Sequence, residues 1–277
     1  MERLLVVGFG DIARRAAPLL ASRYEIVRAA RRDGFDLDRP QTLVFGRVDA
    51  LLHLAPPPGE GDEDTRTANL LAALEKARIL PRRLAYVSTS GVYGDCRGER
   101  VDESRPVAPQ TPRARRRADA ERRLALWCSS FGVPLVVLRA PGIYAADRLP
   151  LERLRAGTPV LRAEDDVYTS HIHADDLAAS VARALEDDAP DGIYNAADDS
   201  ELRMADWLDL VAVRHALPRP PRLPREEVKA CIAPELYSFM SESRRLDNRR
   251  LKGRLGVKLR YPTVYEGLKH EHALGVD

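Results

Sequence analysis

Cysteine is scarce in this chain: Cys96, Cys128 and Cys231 are the three in 277 residues. They are odd in number, far apart and without metal-ligand spacing, so reduced thiols are expected and neither a disulfide framework nor a zinc site. Long hydrophobic runs are lacking too. None approaches the roughly 20 residues that cross a bilayer, and residues 1–7 lead into a glycine turn rather than a signal-peptide cleavage site. A cytoplasmic protein with no membrane partner is therefore expected. Charge of one sign is not in excess: 44 Lys and Arg against 42 Asp and Glu leave a formal +2, which gives no electrostatic reason to expect nucleic acid. The cations are mostly Arg, which coding bias explains as readily as function.

What is present begins at residues 4–23. Leu4–Val7 is an apolar run suited to a buried strand, Gly8-Phe9-Gly10 is a turn, and Ile12, Ala16, Leu19 and Leu20 mark one helical face. Gly8 permits the tight turn, Gly10 lets a pyrophosphate approach the backbone, and Ala13 lets the helix sit close on the strand. The amides of the turn and helix start, at Phe9, Gly10, Asp11 and Ile12, then face the phosphates with the positive end of the helix dipole. Two features fit less neatly. Pro18 should kink the helix, and Asp11 puts a carboxylate near the phosphates, unless it caps the helix.

Tyr24–Ala30 reads as a second strand ending in Arg31 and Arg32, about twenty residues past the glycines. In a dinucleotide fold that strand end meets the adenosine ribose, where an acid takes the 2′-hydroxyl and an arginine accommodates a 2′-phosphate. Arginine here favours NADP(H) over NAD(H), the alternative being solvated loop cations. Asp36 and Leu37 flank the adenine in this reading. Val48–Ala55 is another strand, whose end at Leu54, Ala55 and Pro56 reaches the cofactor. Glu60–Asp64 is a solvated acidic loop and Thr67–Ala77 an amphipathic helix. Leu84–Val87 then runs into the hydroxyl-rich Ser88-Thr89-Ser90-Gly91-Val92-Tyr93-Gly94. Open parallel sheets bind ligands at their carboxyl edge, so Ser88 is assigned to the cofactor and Thr89 and Tyr93 to the chemistry; a turn satisfying its own backbone is the alternative. Ala114–Phe131 is a helix, Pro134–Leu138 a strand, His173–Leu185 a helix and Gly192–Ala196 a last short strand. This alternation predicts an α/β fold, a Rossmann-type doubly wound parallel sheet. Residues 1–144 form the dinucleotide-binding domain, completed by about 171–199. Residues 145–170 and 200–277, with a helix over Met204–Ala216 and a basic helix over Leu246–Leu255, form a small C-terminal substrate lobe. A pocket at the lobe boundary is the expected place for a small-molecule substrate.

The ordered set of motifs resembles the extended short-chain dehydrogenase/reductase group, of the NAD-dependent epimerase/dehydratase type. It comprises Val7–Ala13, Asp36-Leu37, Leu52–Ala55, Ser88–Gly94, Val101–Glu103, Leu138–Tyr144, His171–Leu177 and Gly192–Asn195. The resemblance implies that Thr89 is the catalytic Ser/Thr and that Pro141, Gly142 and Ile143 form the turn beside the nicotinamide. The sequence departs from the pattern twice. GxGxxA replaces the usual GxxGxxG, and the catalytic Tyr-x-x-x-Lys positions hold Arg113 and Arg117. An arginine with a pKa above about 12 cannot cycle a proton at neutral pH, although Arg117 remains assigned to the nicotinamide ribose.

Two functions follow. One is hydride transfer between NADP(H) and a carbonyl or alcohol carbon of a sugar-like substrate, within an oxidoreductase or epimerase/dehydratase cycle, with Tyr93 as proton donor ahead of Tyr144 and Cys96. The other is a non-catalytic NADP(H)-binding regulatory or sensor protein. Arg113–Arg117 otherwise reads as a solvated helix start, favoured over a substrate-phosphate or nucleic-acid patch because no aromatics interleave it. His53, His171 and His173 lack metal-ligand spacing and are read as structural, and Asp175 and Asp176 as helix caps. The resemblance also implies a homodimer through the helices at Thr67–Ala77 and Ala114–Phe131.

Overall fold

The structure, a computed structural model, describes residues 1–273. Its centre is a six-stranded, all-parallel sheet. In chain order the elements that build it and the site are β1 (Glu2–Val7), α1 (Asp11–Leu20), β2 (Tyr24–Ala29), β3 (Ala50–His53), α2 (Thr65–Lys76), β4 (Leu84–Thr89), α3 (Pro112–Phe131), β5 (Leu135–Ala140), β6 (Gly142–Tyr144), β7 (His171–His173), α4 (Ala174–Ala184) and β8 (Gly192–Asn195). The strand order is β8-β5-β4-β3-β1-β2, with β6 and β7 paired separately. The chain leaves β1 for β2 on one side and returns to β3 on the other. That reversal opens a crevice above the carboxyl ends of β1 and β3, where open α/β sheets bind ligands.

The period-two side-chain alternation of β1 sends Leu4 and Val6 to one face and Leu5 and Val7 to the other. The first face packs on Ala13, Ala16 and Leu20 of α1 and on Leu177 and Val181 of α4. The second packs on Leu70, Leu71 and Leu74 of α2 and on Ala120 and Leu124 of α3. A third cluster lies outside the sheet. It joins Tyr144, Leu154, Val160, Trp207, Val228 and Met240.

Pro18 does not interrupt α1. The helix runs through it and ends two residues later, so the lost backbone bond falls in the last turn. The acidic loop is not wholly solvated either. Asp64 is buried and caps α2, accepting from the Thr67 amide at 3.0 Å and the Thr67 hydroxyl at 2.8 Å. Near the C-terminus the expected helix over Leu246–Leu255 is shorter, Arg249–Gly253. Leu246 instead belongs to a two-residue strand with Arg245, paired to Arg100–Val101.

Candidate functional site

The glycine turn closes β1 onto α1. Gly8 has φ +88°, and a Cβ there would lie 2.5 Å from the Ala55 nitrogen, so only glycine fits where β1 and β3 converge. Gly10 is different: its φ is −89°, and a Cβ would meet nothing within 4 Å. No protein atom requires a glycine at position 10. The cleared space lies at the unsatisfied amides of the α1 start, and it is a cradle that fits a pyrophosphate. Asp11 is no cap, since Gly10 holds that position. Its carboxylate is taken by Arg15, at 3.0 Å, and by Arg148, at 3.0 Å from the loop after β6. Arg15 also reaches Asp147 and Asp175, both at 2.7 Å. Phe9 is half-buried with Arg28 4.8 Å from its ring centroid, and Ile12 packs into the core.

A hollow of about 160 Å³ opens beside the turn, lined by Gly8, Arg31, Asp36, Leu37, Ala55 and Pro56 among others. Arg32 is not in its wall and lies 4.0 Å from Asp33. Leu54 likewise packs against the core. The sequence reading missed Arg66, which lines the same hollow. It grips Asp38 with two bonds of 2.8 and 2.6 Å and donates to the carbonyls of Pro56 and Pro57, both at 3.1 Å. Its signal was absent because Asp38 lies 28 residues away.

The second cavity, about 510 Å³, lies over the carboxyl ends of β4 and β5. Ser88, Thr89, Arg117, Pro141, Gly142 and Ile143 all contribute to its wall. Thr89 accepts from the Gly91 amide at 3.2 Å and lines the cavity. The Ser88 side chain is committed elsewhere: its hydroxyl donates to buried Glu121, which also binds Arg139 at 2.6 Å. Ser88 thus reaches the cavity beside its strand neighbours, with its hydroxyl already used by the core. Arg117 donates to the Tyr86 hydroxyl at 3.0 Å and the Val87 carbonyl at 3.1 Å.

Tyr93 is not brought to this cavity. It is 1% exposed, donates to Asn195 Oδ1 at 2.8 Å and stacks under Arg139, whose guanidinium is 4.7 Å from the ring centroid. Burial pushes its pKa up to about 12. This corrects its assignment as proton donor, because a phenol sealed against an amide cannot reach a ligand. Tyr144 does line the cavity, but it is buried and its hydroxyl donates to the Thr263 carbonyl at 3.3 Å. Cys96 is buried, and desolvation raises its pKa. His171 lines the cavity beside Trp207, with ring centroids 4.5 Å apart, and burial holds its pKa near 3, so the imidazole is neutral. His173, not Asp175 or Asp176, caps α4, its Nδ1 accepting from the Asp175 amide at 3.2 Å.

The cavity is basic: five arginines line it against one carboxylate, Glu242. Arg148 is bound to Asp11, and Arg244 to Glu242 at 2.7 Å. Arg113 lays its guanidinium 4.1 Å from the Phe239 ring centroid, and desolvation lowers its pKa. Arg153 is half-buried, its Nε buried with no hydrogen-bond partner among the described residues, and burial draws its pKa down to about 10.

A model of the NAD dependent epimerase/dehydratase family matches residues 44–197, more than half of the chain. This chain belongs to that family. The matched segment starts after the glycine turn. A solved structure of a functionally unknown conserved protein from Silicibacter pomeroyi is similar over the whole of both chains, at 30% identity and TM-score 0.79. The fold is shared with UDP-glucose 4-epimerase from Thermotoga maritima (16% identity, 99% of this chain and 100% of that one, TM-score 0.76). It is shared too with a human epimerase family protein solved with NADPH (20% identity, 98% and 99% covered, TM-score 0.76). Human dTDP-D-glucose 4,6-dehydratase is 32% identical over 81 residues, 29% of this chain and 23% of that protein. No helix among the described residues is long and apolar enough to cross a membrane.

Proposed function

We propose that this family member is a cytoplasmic, NADP(H)-preferring enzyme that transfers hydride to or from a carbonyl or alcohol carbon of a sugar-like small molecule. One observation carries the reading: the glycine turn with its cleared Gly10 space and the Thr89 hydroxyl share the carboxyl edge of one parallel sheet. The bound dinucleotide supplies the hydride chemistry. The turn amides at Phe9, Gly10, Asp11 and Ile12 hold the pyrophosphate, while Arg31 takes the 2′-phosphate and Asp36, Leu37, Ala55 and Pro56 frame the adenosine. Pro141, Gly142 and Ile143 flank the nicotinamide. Thr89 donates a hydrogen bond to the substrate oxygen, and Arg117 is the residue assigned to the nicotinamide ribose. Three unpaired thiols support a reducing compartment. Leu126 and Phe131, exposed beside Trp127 on α3, support a homodimer through α2 and α3.

A second reading, a non-catalytic NADP(H) sensor, draws on a specific observation. The resemblance puts Arg113 and Arg117 where a proton-relaying tyrosine and lysine would be, and the hydroxyls of Tyr93 and Tyr144 are committed to protein acceptors. The test is titration with NADPH and NADH by ligand fluorescence, followed by NADPH oxidation across a panel of carbonyl and sugar compounds. Tighter NADPH binding with turnover abolished by Thr89→Ala supports the enzyme. Tight binding without any turnover supports the sensor, and preference for NADH removes the role given to Arg31.

A further inference from the structure

Hydride transfer needs a partner for the substrate's hydroxyl proton, and the hydroxyls of Tyr93 and Tyr144 are committed to protein acceptors. The wall of the second cavity offers few other proton carriers. Glu242 is bound to Arg244 at 2.7 Å, and the Tyr168 ring is engaged by Arg245, 4.9 Å from its centroid, and by Arg203, at 5.4 Å. The arginines hold their protons at neutral pH. His171 remains, the one histidine in that wall among the described residues. Its Nδ1 is buried with no hydrogen-bond partner among the described residues, and burial alone keeps the imidazole neutral. The ring is fixed by Trp207, at 4.5 Å between centroids, and by Tyr144, edge-on at 6.2 Å. Its Cδ2–Nε2 edge faces Gly142, its partner in the register of β6 and β7: a Cβ there would lie 3.2 Å from Cδ2 and 3.7 Å from Nε2. Gly142 is exposed and lines the same cavity, so the missing methyl group leaves that edge open to a ligand. Thr89 is registered with Ala140, two residues before Gly142. The hydroxyl and the imidazole therefore meet the cavity from the two ends of one short segment, 140–142. His53 differs: its Nε2 is 2.9 Å from the Thr67 hydroxyl, and it is not in the cavity wall.

We infer that His171 is the proton acceptor of the reaction: its imidazole takes the proton of the substrate hydroxyl held by Thr89, as hydride leaves the carbinol carbon for the oxidised dinucleotide. The O–H bond breaks toward the ring nitrogen, the C–H bond breaks with its electron pair going to the nicotinamide, and a C=O bond forms. The substrate loses two electrons, the dinucleotide gains them, and the imidazolium passes its proton to water. Reduction is the same step in reverse, with the imidazolium as donor. A neutral imidazole is the resting form such an acceptor needs, and burial supplies it. The inference rests on the proposed function in placing substrate and dinucleotide at this cavity, and it deepens that reading by naming the group that does the work of the missing tyrosine.

Two experiments on the full chain test it. The first needs no substrate: diethyl pyrocarbonate acylates neutral imidazoles that a small molecule can reach, and mass spectrometry maps the modified peptides. His171 is expected to be modified in the native protein and shielded by saturating NADP+, while His53 stays unmodified. The second measures NADPH oxidation across a panel of aldehydes, ketones and sugars. His171→Phe, which keeps a ring against Trp207, should lower kcat by about a hundredfold or more, with KM and NADPH affinity within about threefold of wild type. His171→Ala should lose as much and regain turnover when imidazole is added to the solution, a rescue that a merely structural histidine does not give. An unmodified His171, a His171→Phe variant that turns over like wild type, or a His171→Ala variant that imidazole does not rescue overturns the assignment. Wild-type protein that binds NADPH without turning over any compound overturns the enzyme reading and this inference together. Failure of this inference alone leaves wild-type turnover intact, so the two failures are distinct.

Discussion

Two glycines in one turn illustrate how a residue type is set by different demands. Gly8 is required by the backbone, at φ +88° and with the Ala55 nitrogen 2.5 Å from any Cβ. Gly8→Ala is expected to lower unfolding free energy by about 2 kcal/mol or more in a urea titration. Gly10 is required by nothing in the protein. Gly10→Ala should therefore fold with an unchanged midpoint and lose about tenfold or more in NADPH affinity, measured by fluorescence. On the proposed function, Arg31→Ala in the hollow beside the turn should weaken NADPH by about tenfold or more and leave NADH unchanged, since Arg31 would meet only the 2′-phosphate. The tight turn at Gly8 could be argued from spacing alone. The fate of Tyr93 could not, because its acceptor, Asn195, lies 102 residues further on.

At the scale of elements, α3 carries both the core of one sheet face and the basic edge of the cavity. Thr111 caps it, accepting from the Ala114 amide at 3.2 Å, and Pro112 occupies the first turn. Arg113 and Arg117 follow at once, so the cap sets where both guanidinium groups start. Thr111→Ala should lower stability by about 1 kcal/mol, read by chemical denaturation, and should increase amide exchange in the first turn of α3 more than in its last. The long elements were legible because α1, α2, α3 and α4 each bury one periodic stripe and the sheet strands carry short apolar stretches such as Leu4–Val7 and Ala50–Leu52. The short ones were not. Arg225–Cys231 and Pro234–Ser238 are helices of seven and five residues, too brief for a repeating apolar face to declare itself. The two-residue strand Arg100–Val101 exists because Arg245–Leu246 lies against it, 145 residues away.

Across the whole molecule, burial decides how stability responds to pH. Asp198 is 3% exposed, accepts from the Ser200 amide at 2.9 Å through Oδ1, and has Oδ2 buried without a partner. Desolvation raises its carboxyl pKa from 3.8 to about 8. Between those values the native chain keeps a proton that the unfolded chain releases, so this group's contribution falls as pH rises and is fully lost above about 8. A single group of this kind gives a slope of at most about 1.4 kcal/mol per pH unit. Asp198→Asn keeps the geometry without the titration. Its stability relative to wild type should grow from pH 5 to pH 8 in denaturation curves and then level off; a constant difference would rule the assignment out.

The linear order of residues determined the alternating architecture, the glycine turn, the arginine after the second strand and the arginines at positions 113 and 117, because each is a local pattern of period, spacing or residue type. Tertiary structure decided which side chains remain available to a ligand. It sealed Tyr93 on Asn195, turned Ser88 onto Glu121, tied Asp11 to Arg148, added Arg66 to the hollow beside the glycine turn and buried Arg153 Nε without a hydrogen-bond partner among the described residues. The physical reason is that burial and pairing are properties of neighbours, and at this site the neighbours come from distant parts of the chain.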